Sequence, residues 1–327
     1  MNRRLAIRML TAAGAGSLFR GWLKAGPPPQ PPQSDRSSTQ DFTLHSEVRL
    51  VLLDVSVKDG KGGFVADLTK DDFTVLEDGR PQRITIFDNG DVPVTAGILV
   101  DESRSMTPKR EDVLSAATTL VQESNPRDEI FVLNFNEKVK RGLPEGVLFS
   151  GDLGQLSAAL YRGRPEGRTA LYDAILSGLK QLGLGKQEKK TLVAISDGGD
   201  NASLHTRHAM LDAVERSIAT IYTIGVYDPD DPERDTGVLR ELAHISGGEA
   251  FFPAAPSEAA DVCRRIAKEI RTRYTIGYRP EARGDKKPLR HIRVRAASPA
   301  HGRLNVRTRT SYRYDDEDQS KPALALD

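Results

Sequence analysis

The sequence predicts an α/β fold: a doubly wound, mainly parallel sheet flanked by helices, joined to a β-sandwich-like unit made from the segments on either side of it. Three observations carry this. Between 93 and 273, short apolar runs such as "TAGILV", "EIFVLNF", "KTLVAIS" and "ATIYTIGV" alternate with longer stretches of helical periodicity. Buried strands separated by helices indicate a parallel sheet covered on both faces. On either side of that region, at 42–92 and 274–313, strand follows strand with turn residues between them. Each flank, at about 40–50 residues, is too small to bury a core alone. The economical arrangement is one β unit built from both flanks, with the α/β domain inserted between them.

The elements follow in chain order. Residues 1–26, "MNRRLAIRMLTAAGAGSLFRGWLKAG", are basic, acid-free and weakly apolar. They predict an export signal whose Arg3-Arg4 pair resembles a twin-arginine motif, with cleavage after Ala25 and a cytoplasmic tail as the alternative. The stretch is too short, and too interrupted by Arg8, for a membrane span. No later segment is long and apolar enough for one, so the expected location is periplasmic or secreted. Residues 27–41, "PPPQPPQSDRSSTQD", form a Pro-rich linker. In 42–92, apolar residues alternate through Val48, Leu50 and Leu52, then Val55 and Val57, with "KDGKGG" as a turn. "DDFTVLEDGRPQRITIFD" repeats the plan around an Asp78-Gly79 turn, which predicts the hairpins of an antiparallel sheet.

In the α/β region the last helix, "SEAADVCRRIAKEIRTR", carries Cys263 at helical spacing with Ala259, Val262, Ile266 and Ile270, which predicts a small core residue. As the only cysteine it excludes an internal disulfide framework and any multi-cysteine metal site. The strands of 274–313 are followed by an acidic, then apolar tail at 314–327, expected to be disordered. Lys+Arg total 47 and Asp+Glu 46, so no global field draws nucleic acid or an anionic membrane. Arg293 and Arg295 alternate with Ile292 and Val294, and Arg290, Arg303, Arg307 and Arg309 add to a basic stripe. It reads as the solvated face of a half-buried sheet, with an anionic-polymer site as the alternative. No aromatic platform is interleaved, which speaks against nucleic acid.

The chemistry concentrates in "AGILVDESRSM". A buried strand ends in Asp101, and Ser103 and Ser105 follow at alternate positions. Two other loops are expected at the same sheet edge: Thr169 just before a helix, and Asp197 at the end of a buried strand with Gly198-Gly199 turning the chain away. Two carboxylates and three hydroxyls are hard oxygen ligands, suited to Mg²⁺ or Mn²⁺ rather than Zn²⁺. So few charges leave a divalent ion with an open position that an acidic side chain of a protein partner can complete.

On these residues, 93–273 resembles the von Willebrand factor type A family. The flanks "LTKDDFTVLEDGRPQRITIFD" and "RYTIGYRP" resemble those of exported bacterial proteins of the same type. The resemblance implies a metal-ion-dependent adhesion site, in which Asp101, Ser103 and Ser105 match a D-x-S-x-S motif, Thr169 the lone threonine and Asp197 the last aspartate. One departure stands out: the residue between the serines is usually small in the family, and here it is Arg104. It either points to solvent or lies near the ion and weakens its hold. Asp228, Asp230 and Asp231, in the acidic loop after a later strand, are expected to rim the same edge, as a secondary Ca²⁺ site or a solvated loop. Arg283-Gly284-Asp285 reads as turn chemistry.

No G-x-S-x-G elbow, H-E-x-x-H or P-loop is present, so no enzyme is expected. The sequence therefore predicts an exported, adhesion-type protein-binding module using Mg²⁺. A structural module of the cell envelope with a constitutive metal is the alternative, and a hydrolase the third reading.

Overall fold

The computed structural model describes residues 50–227, 235–281 and 288–313. The predicted export signal and linker, Asp228, Asp230 and Asp231, the Arg283-Gly284-Asp285 turn and the acidic tail lie outside the described residues.

The strands are β1 (Val51–Lys58), β2 (Phe73–Glu77), β3 (Arg80–Gln82), β4 (Ile84–Asp88), β5 (Val94–Asp101), β6 (Glu129–Phe135), β7 (Val139–Arg141), β8 (Lys189–Ser196), β9 (Thr220–Gly225), β10 (Ala250–Phe251), β11 (Tyr274–Tyr278), β12 (Leu289–Ala296), β13 (Asn305–Arg307) and β14 (Ser311–Arg313). The helices are α1 (Arg110–Gln122), α2 (Leu153–Leu160), α3 (Leu171–Leu182), α4 (Arg207–Arg216), α5 (Thr236–Ser246) and α6 (Ala259–Thr272).

The central sheet has the order β10-β9-β8-β5-β6-β7 and is parallel except for β7, an antiparallel edge that the sequence reading missed. β5 and β8 are buried along nearly their whole length because helices cover both faces. α1 packs on α2 and α6, while α4 packs between α3 and α5. Ala259, Cys263, Ile266, Ala267 and Ile270 form the buried face of α6, and burial pushes the Cys263 thiol up to about 12, out of reach of nucleophilic chemistry. From β5 the chain passes through α1 to β6 on one side, then returns through α3 to β8 on the other. The carboxyl ends of β5 and β8 therefore flank the topological switch point, where open α/β sheets place their ligands.

The two flanks do combine. One antiparallel sheet runs β13-β1-β11-β4 and a second β14-β12-β2-β3, each drawing strands from both flanks. Leu53, Val55 and Val57 of β1, Val75 of β2, Tyr274 and Ile276 of β11, and Ile292 and Val294 of β12 share one core between them. The predicted hairpins differ in detail. After β1, "KDGKGG" turns the chain into a single bridge between Lys58 and Phe64 rather than a second strand. β4 does not continue the β2–β3 hairpin: it crosses to pair with β11 in the other sheet.

The basic stripe is also not what its sequence suggested. Arg290 is buried, with its Nη1 2.7 Å from Glu77 Oε1, and Glu77 also accepts the hydroxyls of Tyr278 and Tyr312. Arg309 is buried on backbone carbonyls, and Arg307 is ion-paired to Glu249 and Glu269. Arg293, Arg295 and Arg303 remain exposed.

Where the β unit meets the α/β domain, Arg273 is 1% exposed. Its Nε lies 3.0 Å from Asp54 Oδ2 on β1, and its Nη1 donates to Tyr222 Oη on β9 and to Glu269 Oε1 on α6. Its Nη2 donates to the carbonyls of Asp54 and Gly247. Glu269 also holds Arg307 and lies 3.3 Å from Lys58 Nζ. One buried ionic network thus joins β1, β9, β13 and α6.

Candidate functional site

Asp101 closes β5 and Asp197 follows the last residue of β8, so both carboxylates sit at the carboxyl ends of adjacent parallel strands. They are 2% and 3% exposed. Asp101 Oδ1 accepts the Ser103 N–H at 2.8 Å, turning the chain out of the strand into a short 3-10 segment, Arg104–Lys109. Asp101 Oδ2 accepts the Ser196 hydroxyl at 2.6 Å, and Ser196 Oγ in turn accepts the Gly198 N–H. The Ser105 hydroxyl donates to Asp197 Oδ2 at 2.5 Å and lies 3.1 Å from Ser103 Oγ. Asp101, Ser103, Ser105 and Asp197 are therefore brought into one connected cluster.

Thr169 reaches the same rim through its backbone. Its N–H donates to Asn201 Oδ1, and its carbonyl accepts the N–H groups of Asn201 and Ala202, on the loop that follows Asp197. The preceding residues are stitched to the first loop, since the Arg104 N–H donates to the Gly167 carbonyl. No hydrogen bond joins the Thr169 hydroxyl to the other four. Arg104 is exposed while Ser103 beside it is buried, and it has no ion pair among the described residues. Of the two alternatives left by the sequence, the solvent-facing one describes it.

The electrostatics are those of two acids forced together. Burial, then the neighbouring Asp197 charge, pushes the Asp101 carboxyl up to about 7. Neither acid has a lysine, arginine or histidine ion-pair partner among the described residues. No group of three or more His, Cys, Asp or Glu among them could hold a metal. What this edge offers instead is a mixed set, two carboxylates with the hydroxyls of Ser103, Ser105 and Thr169. Such a set fits a small hard cation, whose charge would relieve the repulsion between the acids. It does not fit soft-metal coordination.

Sequence reasoning missed three supporting groups. Ser196 orients Asp101, Asn201 carries Thr169, and Asp173 anchors the outer loop by accepting the Leu204 and His205 N–H groups and facing His205 Nδ1 at 2.7 Å. Ser196 directly precedes Asp197 at a buried strand end, which was the available signal. Asn201 and Asp173 act across about thirty residues and left none.

Gly198 fixes the turn after Asp197. Its φ is +85°, and a Cβ there would stand 2.4 Å from the Asp235 carbonyl oxygen. Gly198→Ala should therefore destabilise the chain by at least about 1–2 kcal/mol from the left-handed backbone alone, read as a lowered urea midpoint. An unchanged midpoint would mean the loop relaxes freely.

Residues 97–199 match the family model of the von Willebrand factor type A domain. Over 199 residues the chain is 24% identical to the uncharacterized protein sll0103 of Synechocystis, covering 58% of this chain and 46% of that one, so the match spans less than half of that relative's length. Among solved structures, the von Willebrand factor type A protein from Catenulispora acidiphila is 13% identical, with 83% of this chain and 76% of that one covered at a TM-score of 0.50. The vWF domain of the type V pili tip protein Mfa5 from Porphyromonas gingivalis is 14% identical, with 55% and 95% covered at a TM-score of 0.47.

Proposed function

We propose, on the premise that this chain belongs through its central domain to the von Willebrand factor type A family of protein-interaction modules, that it is an exported, adhesion-type binding protein. Its site would hold Mg²⁺ or Mn²⁺ and bind an acidic side chain of a partner protein. The observation that carries the reading is the pair of buried carboxylates, Asp101 and Asp197, at the switch point with hydroxyls around them and, among the described residues, no cationic side chain paired with them.

Ser103, Ser105 and Thr169 would set the geometry of the ion, with Asp101 and Asp197 supplying charge to it, directly or through water. When bound, the ion would supply a positive charge able to attract a carboxylate of a partner. Ser196 holds Asp101 in place, and Ser103 N–H fixes the other carboxylate oxygen, so the acid is oriented before any ion arrives. The predicted N-terminal signal is the basis for export. A hydrolase reading has less support: among the described residues no histidine hydrogen-bonds Ser103 or Ser105, the Ser105 hydroxyl donates to Asp197, and His205 is engaged by Asp173.

The test is capture of partners from native envelope extract on the immobilised chain, with Mg²⁺ or with EDTA. Capture should require Mg²⁺ and be released by EDTA. Capture indifferent to EDTA would favour a scaffold role with the metal irrelevant to contact, and turnover in a phosphatase or esterase panel would favour the hydrolase.

A further inference from the structure

Arg104 stands between the two serines of the candidate site, and nothing in that site uses its side chain. Its backbone is held on both sides. The Arg104 N–H donates to the Gly167 carbonyl at 3.2 Å, and the Arg104 carbonyl accepts the Thr107 hydroxyl at 2.8 Å. Its neighbours face the cluster: the hydroxyls of Ser103 and Ser105 lie 3.1 Å apart, and Ser105 donates to Asp197. The Arg104 side chain therefore starts from a fixed point at the lip of the cluster. It is exposed, with no ion pair and no side-chain hydrogen bond among the described residues.

A cation at this lip opposes an ion held by the cluster, because like charges at close range repel. An anionic ligand that touches both relieves the conflict. One carboxylate cannot easily serve both, but two can. In an extended segment, alternate residues share a face and stand roughly 7 Å apart. That spacing suits one carboxylate over the cluster and the next within reach of a long side chain at its lip. The surrounding charges favour the same ligand. Arg164, on the loop stitched to Arg104, and Lys138, on the β6–β7 loop, are exposed without ion pairs among the described residues. Arg168 is answered by Glu137, Arg110 by Glu102, and Arg162 rests on the Leu143 carbonyl. Glu166 is an exposed acid on the same loop, while Asp200 is taken up by the Tyr172 N–H and the Ser203 hydroxyl.

We propose that Arg104 is a specificity-determining residue of this site, pairing with a second carboxylate of the partner. The segment recognised then carries two acidic residues at alternate positions, one for the ion and one for Arg104. This deepens the reading of an ion-held acid and rests on it.

Two amidated peptides are the probes, "GGDGGGG" with one acid and "GGDGDGG" with two, each carrying a net-neutral fluorophore at its N-terminus. They are titrated with the full chain at low ionic strength, in Mg²⁺ and in EDTA, and read by fluorescence anisotropy. In Mg²⁺ the parent chain should hold the two-acid peptide about fivefold more tightly, the strength of a good ion pair still open to water. Arg104→Gln keeps the backbone bonds and removes no described side-chain contact. It should bring the two peptides level, leave the one-acid peptide no weaker, and leave the circular dichroism spectrum unchanged. Arg104→Lys should retain part of the preference. A preference that survives Arg104→Gln, equal binding of the two peptides by the parent chain, or no binding of the two-acid peptide would overturn the assignment. The EDTA arm separates it from the ion reading. Binding lost in EDTA with no preference between the peptides keeps the ion and overturns the role of Arg104. A preference that follows Arg104 but persists in EDTA overturns the ion and keeps Arg104 as a carboxylate receptor.

Discussion

Replacing Asp101 by Ala should cost the chain at least about a hundredfold in Mg²⁺ affinity while leaving it folded. The site has two carboxylates, and attraction between an ion and a half-dry carboxylate amounts to several kcal/mol by order of magnitude, each ~1.4 kcal/mol being tenfold. The fold should survive for a specific reason. Asp101 accepts two hydrogen bonds, from Ser103 N–H and Ser196 Oγ, each worth about 1 kcal/mol. Its removal also relieves the repulsion with Asp197 that raises its own carboxyl. Asp101→Asn keeps an acceptor of the same shape and serves where the alanine variant is too weakened. Ser105→Ala should be milder, since it removes a neutral ligand that water can replace. Calorimetric Mg²⁺ titration of the folded variants checks the ranking, and unchanged affinity in Asp101→Ala removes this residue from the site.

Breaking the ionic network between the β unit and the α/β domain should be the costliest change for stability. Glu269→Ala leaves Arg273 buried beside a lost carboxylate, and removing one partner of a buried pair costs about 3–5 kcal/mol. The network also sets an acid limit. Burial pushes the Glu269 carboxyl up, but Arg273, Arg307 and Lys58 overcome it and hold it at about 2, below the ordinary 4.5. The folded state therefore binds this proton less tightly than the unfolded state. Its contribution, about 3 kcal/mol at 1.36 kcal/mol per unit, is fully present above pH 4.5 and is lost as pH falls toward 2. Urea midpoints measured from pH 7 to pH 2.5 should fall steeply below 4.5 in the parent chain and less steeply in Glu269→Gln. Parallel slopes in the two would mean Glu269 is not the group being titrated.

The parts of this account that were legible in the sequence are those written locally. A run of Ile98, Leu99 and Val100 ending in Asp101 announces a buried strand and its tip, and Asp197-Gly198-Gly199 announces a strand end with a sharp turn. Alternation in both flanks announced strands, and their size announced that they must combine. Partners distant in sequence were illegible. Nothing near β4 says that it leaves β2 and β3 for β11, because a ladder partner is chosen by global packing. Arg290 was read as solvated although it shares the parity of Ile292 and Val294, which was a usable signal for the buried face. Its partner Glu77, more than two hundred residues away, was not visible. The same holds for Asn201, which carries Thr169 by a contact that no local pattern encodes.

The most direct test is where the ion sits. Crystals of the full chain grown with Mn²⁺, measured near the manganese absorption edge, should give an anomalous peak at the carboxyl ends of β5 and β8. That peak should lie within coordination distance of the Ser103 and Ser105 hydroxyls and beside the Asp101 and Asp197 carboxylates. A peak elsewhere in the chain, or none at this edge at saturating Mn²⁺, would contradict the account.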